Sequence, residues 1–189
     1  AFFKPKKKLV IVDADNTLWG GVIGEDGIDG IKIGHEYPGS VFWEFQSNLK
    51  TLKNNGTILC LASKNNVEDV LEVFKSRSMP LDLDDFVVCK ANWLPKSENI
   101  SDLLKELNLG EAAAVFIDDN PFEIGEVSSA LPELECLKFD YTDPKCSDFI
   151  FRGDSSYYSH FLSKEDLRKS ASYKEEQQRR KMQATARSH

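Results

Sequence analysis

Leu9-Val10-Ile11-Val12-Asp13-Ala14-Asp15-Asn16-Thr17-Leu18 decides the reading of this chain. Four apolar residues with no polar break fit a strand of a parallel sheet that is covered on both faces. Two aspartates spaced by one residue follow at once, then an amide and a hydroxyl. Ligands of an open parallel sheet bind outside the carboxyl ends of its strands. Asp13, Asp15 and Thr17 therefore fall where such a fold does its chemistry. A lone Asp-x-Asp is a weak signal, because aspartates after strands often only hydrogen-bond a turn. Its weight depends on what ends the other apolar runs.

Four more runs follow: Ile58-Leu59-Cys60-Leu61-Ala62, Phe86-Val87-Val88-Cys89, Ala113-Ala114-Val115-Phe116-Ile117 and Leu134-Glu135-Cys136-Leu137. Segments with helical spacing separate them. Val41, Phe42, Phe45, Leu49 and Leu52 share one helix face, with Gly56 marking the C-terminal side. Val67, Val70, Leu71 and Phe74 form a second stripe. Ile100, Leu103, Leu104 and Leu107 form a third, closed by Gly110, and Phe122, Val127, Ala130 and Leu131 a fourth, ended by Pro132. Strands alternating with helices predict right-handed β-α-β crossovers and an α/β three-layer sandwich around a central parallel sheet. The glycine-rich stretch after the first strand, about 19–34, reads as a β-hairpin flap too short to be a cap domain. Residues 1–160 read as the catalytic domain, and 161–189 as a polar helical C-terminal arm or linker.

The second run ends in Ser63-Lys64-Asn65, the fourth in Asp118-Asp119-Asn120, and Lys96 opens the helix before that fourth run. Asp13, Asp15 and Asp118 thus converge on one sheet edge with Lys96 and the candidate substrate-binding residues Thr17, Ser63 and Asn65. Crowded carboxylates repel, which raises at least one pKa unless a cation sits among them. Mg2+ suits a few carboxylates together with waters and a phosphate oxygen. One carboxylate can then attack phosphorus while the metal and Lys96 neutralise the phosphoryl oxygens. A second, two residues along, can protonate the leaving oxygen and later activate water. Each piece also has a bland reading: Asp118-Asp119 or Asn120 as a helix N-cap, and Lys96 as a surface lysine. The joint order, with every piece after its own apolar run, favours the site.

Composition narrows the classes. The chain has 189 residues, 41% hydrophobic and 29% charged, enough to build a core. No apolar run nears the ~18 residues that span a bilayer. A net charge of -7, from 24 basic and 31 acidic residues, argues against a broad nucleic-acid footprint. The opening Ala1-Phe2-Phe3-Lys4-Pro5-Lys6-Lys7-Lys8 has no secretory pattern. A start at Ala1 rather than Met reads as processing or excision from a longer polypeptide. Cys60, Cys89, Cys136 and Cys146 form no Cys-x-x-Cys pair, so a reduced, cytoplasmic protein is expected. His35, His160 and His189 share no ligand spacing, and Trp19 and Trp93 flank the expected mouth.

Asp13-Ala14-Asp15-Asn16-Thr17-Leu18, Ser63, Lys96 and Asp118-Asp119 resemble the four ordered motifs of the haloacid dehalogenase (HAD) superfamily across most of residues 8–140. More narrowly, four longer stretches resemble its FkbH-like branch. These are residues 15–27, Ser63-Lys64-Asn65-Asn66, Lys90-Ala91-Asn92-Trp93 through Ile100, and Ile117-Asp118-Asp119-Asn120-Pro121-Phe122-Glu123; residues 173–179 fit that branch's tail. The resemblance implies a HAD-like, Rossmann-type, capless fold with Asp13 as nucleophile and Asp15 as acid/base. It implies Mg2+ held by the Asp13 side chain, the Asp15 carbonyl and Asp118, with Asp119 further out. Ser63 and Lys96 would hold the phosphate, with Lys90 the runner-up for the lysine.

FkbH-like domains serve polyketide assembly lines, beside other synthase domains. The implied activity is removal of phosphate from a 1,3-bisphosphoglycerate-derived unit and transfer of the three-carbon glyceryl group to the phosphopantetheine arm of an acyl carrier protein. Loading members carry the acyl group on a cysteine directly before the motif-two serine, and this chain has Ala62 there. That implies either a cysteine-to-alanine variant, the reading favoured here, or a natural member without the acyl-transfer step. Cys60 lies two residues back on the strand, ~6.6 Å further from the edge, and Cys89 is closer. The alternative activity is a Mg2+-dependent phosphatase of small phosphoesters without acyl transfer.

Overall fold

The structure, a computed structural model, describes residues 7–146, 173, 175–177, 179 and 180. Five strands form one parallel sheet: β1 (Leu9–Val12), β2 (Ile58–Lys64), β3 (Phe86–Asn92), β4 (Ala114–Asp118) and β5 (Glu135–Lys138). Their order is β3-β2-β1-β4-β5, so β1 is central, and Val12 stands in register with Leu61 on one side and Ile117 on the other. Helices α1 (Ile23–Gly30), α2 (Gly39–Asn54), α3 (Val67–Ser76), α4 (Lys96–Leu107) and α5 (Pro121–Ala130) complete the chain order.

Period-two alternation splits the strands between two cores. Val10, Val12, Leu59, Leu61, Val115 and Ile117 face α2 and α3, packing on Phe42, Phe45, Leu49, Val70 and Val73. Leu9, Ile11, Cys60, Ala62, Ala114 and Phe116 face α4 and α5, packing on Ile100, Leu103, Leu107 and Val127. The result is the expected three-layer α/β arrangement. β2 and β3 run past their apolar cores to Lys64 and Asn92, carrying polar residues to the carboxyl edge.

Two local expectations need correction. The flap is not a β-hairpin. Gly20 and Lys32 do pair antiparallel at its base, each N–H bonding the other's carbonyl at 2.8 Å. Between them the chain turns helical, as α1, because the Asp26 carboxylate accepts from Val22 N at 2.8 Å while the Val22 carbonyl accepts from Glu25 and Asp26. Gly27, at φ 71, breaks that helix in the middle. Likewise α4 is closed by Asn108 rather than Gly110. Asn108 takes the left-handed conformation, φ 53, which asparagine tolerates better than most residues. Gly56, at φ 97, does follow α2 as its stop signal.

Among the described residues no helix is long and apolar enough to cross a membrane. The described residues of the arm are helical, and Tyr173 packs on the α4-side core with its hydroxyl donating to the Leu107 carbonyl. The expected boundary at residue 160, most of the arm, His160 and His189 lie outside the described residues.

Candidate active site

The turn after β1 builds the site. Asp13 continues the ladder, its N–H donating to the Ile117 carbonyl at 3.0 Å. Asn16 then adopts φ 56, and its side-chain oxygen accepts from Gly21 N at 2.8 Å, folding the chain back on itself. This aims Asp13 and Asp15 in different directions.

Asp13 points toward β4. Lys96 Nζ reaches Asp13 Oδ1 at 2.9 Å and also hydrogen-bonds Asp118 Oδ2. All three are nearly closed to solvent: Asp13 is 6% exposed, Lys96 3% and Asp118 0%. Asp118 Oδ1 accepts from Asn120 N at 2.9 Å, and Asn120 in turn caps α5 by accepting from Phe122 N at 2.9 Å. Asp119 joins from the rim, where Thr17 Oγ1 donates to it at 3.3 Å. Oxygens of Asp13, Asp118 and Asp119 lie within 4.8 Å of one another.

Asp15 points the other way. Its Oδ1 accepts from Trp19 Nε1 and Ile23 N, each at 3.0 Å, and its Oδ2 accepts from Asn65 Nδ2 at 2.9 Å. Ser63 is buried one residue from Ala62, with Asn65 Nδ2 at 3.4 Å from its hydroxyl oxygen. The site thus has two compartments: a lysine-bridged carboxylate cluster, and one carboxylate held apart by donors from the flap and the loop after β2.

Electrostatics separate them further. Burial pushes the Asp13 carboxyl well above the usual range; Lys96 opposes this, while Asp118 and Asp119 add to it. Asp119 is raised by burial and by Asp118. Burial works against the Lys96 ammonium, but Asp13 and Asp118 overcome it and raise its pKa. Burial also raises Asp15, while the bonds from Ile23, Trp19 and Asn65 pull it down in part. Two buried carboxylates thus share one ammonium, with a third beside them at the rim, and the set lacks positive charge. Hard oxygen donors this close, short of one cation, fit Mg2+.

The sequence reading named most of this set. Asp13, Asp118 and Lys96 meet directly, while Thr17 meets Asp119, Asn65 meets Asp15, and Ser63 reaches Asn65 alone. Asp119, ranked behind the others, stands within the cluster, and its place in the Asp-Asp-Asn run was the available signal. The Asp15 carboxylate is outside the cluster. Lys90 pairs with Glu106 at 2.8 Å, away from the site. The ion pair of Lys64 with Glu123 of α5, at 3.1 Å, links the end of β2 to the first turn after β4.

The cysteine question gains geometry. Ala62 is fully buried in the α4-side core, on the opposite face of β2 from Leu61. Cys60 is buried below it, its thiol pushed up to about 12 by burial. Cys89 is not at the strand's end as expected: β3 continues three residues to Asn92, and Cys89 stands level with Leu61.

No family model matches the sequence, and a search of curated proteins found no match. Solved structures do match. The N-terminal part of BF1531 from Bacteroides fragilis, containing a phosphatase domain complexed with Mg, superposes with a TM-score of 0.71 at 40% identity over 77% of this chain. The fold is one shared with solved phosphatase and HAD-family domains. This chain spans 39% of the length of that crystallised fragment. The HAD-family enzyme BT-2542 from Bacteroides thetaiotaomicron superposes at 0.53, with 12% identity, over 79% of this chain and 100% of its own. Its magnesium complex does so at 0.52 with the same identity and coverage. At that identity the BT-2542 likeness speaks for the HAD fold alone. The aspartate cluster is consistent with Mg2+, and the BF1531 phosphatase domain that the chain resembles was crystallised with Mg.

Proposed function

We infer that the chain is a Mg2+-dependent phosphohydrolase of small phosphoesters that works through Asp13. The observation that carries this reading is the lysine-bridged pair Asp13 and Asp118 with Asp119 clustered against them, and Asp15 held separately beside it. Asp13, Asp118 and, by the HAD resemblance, the Asp15 backbone carbonyl would hold the metal, and Asp119 belongs to the same charge set. Bound Mg2+ would neutralise phosphoryl oxygens and relieve the repulsion among the carboxylates.

An oxygen of Asp13 attacks phosphorus, and the bond from phosphorus to the ester oxygen breaks. Protonated Asp15 gives its proton to that leaving oxygen; its raised pKa suits the task. The resulting Asp15 carboxylate then takes a proton from water, which attacks the phosphorus of the aspartyl phosphate and releases inorganic phosphate with Asp13 restored. Lys96 and the Ser63 hydroxyl donate to phosphoryl oxygens, and Thr17 and Asn65 keep Asp119 and Asp15 in place. The test is phosphate release from p-nitrophenyl phosphate. It should require Mg2+, stop with chelator and vanish in Asp13→Asn. Release that survives either change would overturn the assignment.

A second reading draws on the four FkbH-like stretches: transfer of a glyceryl unit from 1,3-bisphosphoglycerate to an acyl carrier protein beside other synthase domains in the cytoplasm. The exposed side chains Trp93, Leu94 and Phe122, next to the strand ends, leave an open mouth that suits a substrate on a long arm. Against it, Ala62 offers no thiol and sits in the core. Intact-mass spectra of the chain and a carrier after incubation with the bisphosphate, for the Ala62 chain and for Ala62→Cys, decide it. A glyceryl adduct on the substituted chain or the carrier supports transfer; phosphate release alone leaves the phosphatase.

A further inference from the structure

Arg77, at the C-terminal end of α3, is a cation spent on backbone. Its Nη1 donates to the carbonyls of Ile28 at 2.6 Å and Ile31 at 3.1 Å, and its Nη2 donates to Ile33 at 3.2 Å. These three carbonyls lie 44–49 residues away, on the returning limb of the flap. Ile31 and Ile33 flank Lys32, whose two backbone bonds to Gly20 close the flap's base. Gly20 follows Trp19, and the chain then runs to Ile23. Trp19 Nε1 and Ile23 N are the two donors that fix Asp15 Oδ1. Trp19 also rests edge-on against Phe74 of α3, the helix that carries Arg77. One helix end thus grips the flap beside the Gly20–Lys32 closure, and the flap's other limb holds the carboxylate.

From this geometry we propose that Arg77 is a positioning residue for leaving-group protonation, acting through the flap on Asp15. The inference rests on the assignment of Asp15 as the proton donor. A guanidinium suits the task because its flat fork satisfies several carbonyls at once from one fixed plane, which an ammonium on a flexible stem does not. Placement matters because proton transfer to a reacting group depends on hydrogen-bond reach, and small displacements of a catalytic group cost large factors in rate.

The test compares two probes that differ in their need for a proton. p-Nitrophenyl phosphate expels a stable phenolate, whereas β-glycerol phosphate must expel an alkoxide unless it is protonated. With Mg2+ present, kcat/KM is measured for both with wild type, Arg77→Lys, Arg77→Gln and Asp15→Asn. Asp15→Asn should lose far more activity on the alkyl ester than on the aryl ester. Arg77→Lys and Arg77→Gln should show the same bias, with the alkyl-to-aryl ratio falling about tenfold, a fraction of the 10²–10⁴ that a general acid supplies. Thermal melts identify a variant that does not fold; in that case Arg77→Lys, which keeps the charge, carries the comparison. A bias in Asp15→Asn with an unchanged ratio in folded Arg77 variants overturns the role of Arg77 alone. No bias in Asp15→Asn, or no turnover by wild type, overturns the proton-donor assignment and this inference with it.

Discussion

Replacing Lys96 by methionine is the sharpest perturbation of the cluster. The methionine stem fills much of the lysine's space, so the loss is mainly charge and donors. Lys96 is 3% exposed and holds Asp13 at 2.9 Å as well as Asp118, with Asp119 close by. Removing one partner of a buried ion pair typically costs about 3–5 kcal/mol, because the remaining charge stays buried and uncompensated. For a chain of this size that is a fall in Tm of roughly 6–20 °C. The loss should depend on pH. The Asp13 carboxyl is already raised in the native protein, and without Lys96 it is raised further. Where both folded proteins keep that proton the deficit is smaller. As pH rises through the native protein's raised pKa, the variant retains a proton that the native site releases, so the deficit grows and then levels off above the variant's own pKa. Thermal melts of wild type and Lys96→Met in chelator from pH 4 to pH 8 measure this. Mg2+ should return part of the loss by binding only the folded site. Equal melting temperatures in chelator at pH 8, or a deficit that shrinks as pH rises, would refute the reasoning.

Two further predictions follow from groups away from the cluster. Asp85 is buried yet held below the usual carboxylate range: burial raises it, but Lys50 at 2.7 Å, the Asp82 N–H and Lys53 at 3.2 Å together prevail. A depressed folded pKa stabilises above the unfolded pKa and is lost as pH falls through the folded one. Asp85→Asn should therefore cost about 1–3 kcal/mol in urea melts at pH 7 and progressively less as pH falls below the ordinary carboxylate range. Cys60, with its thiol pushed up to about 12, should resist iodoacetamide at pH 8 in the native protein and react once urea unfolds it. Labelling of the native thiol would contradict its burial.

The sequence made the strands, helices and cluster legible because each is a local pattern. Four apolar residues before Asp13 need no distant information to be read as a covered strand, and the order Asp13, Ser63, Lys96, Asp118 follows the strand ends. Alternation along β2 likewise sets Ala62 and Leu61 on opposite faces. What failed was decided by single polar contacts. Glycines at 20, 21, 24 and 27 suit a hairpin or a broken helix equally, and the bond from Val22 N to Asp26 selects the helix. Asn108 preempts Gly110 as the stop of α4 by entering the left-handed region two residues earlier. The Arg77 clamp leaves no trace in any periodicity, because an arginine after an amphipathic helix looks like a solvated end. The direction of the Asp15 carboxylate depends on the turn at Asn16, which a residue pattern does not encode.

The most direct measurement is chemical trapping of the phosphorylated carboxylate. Protein turning over p-nitrophenyl phosphate in Mg2+ is quenched in acid, reduced with borohydride, digested and read by peptide mass spectrometry. Aspartyl phosphate reduces to homoserine, so homoserine is expected at position 13 and at no other aspartate. Sustained turnover with Asp13 recovered unmodified, or homoserine at Asp15 or Asp118 instead, would contradict phosphoryl transfer through Asp13.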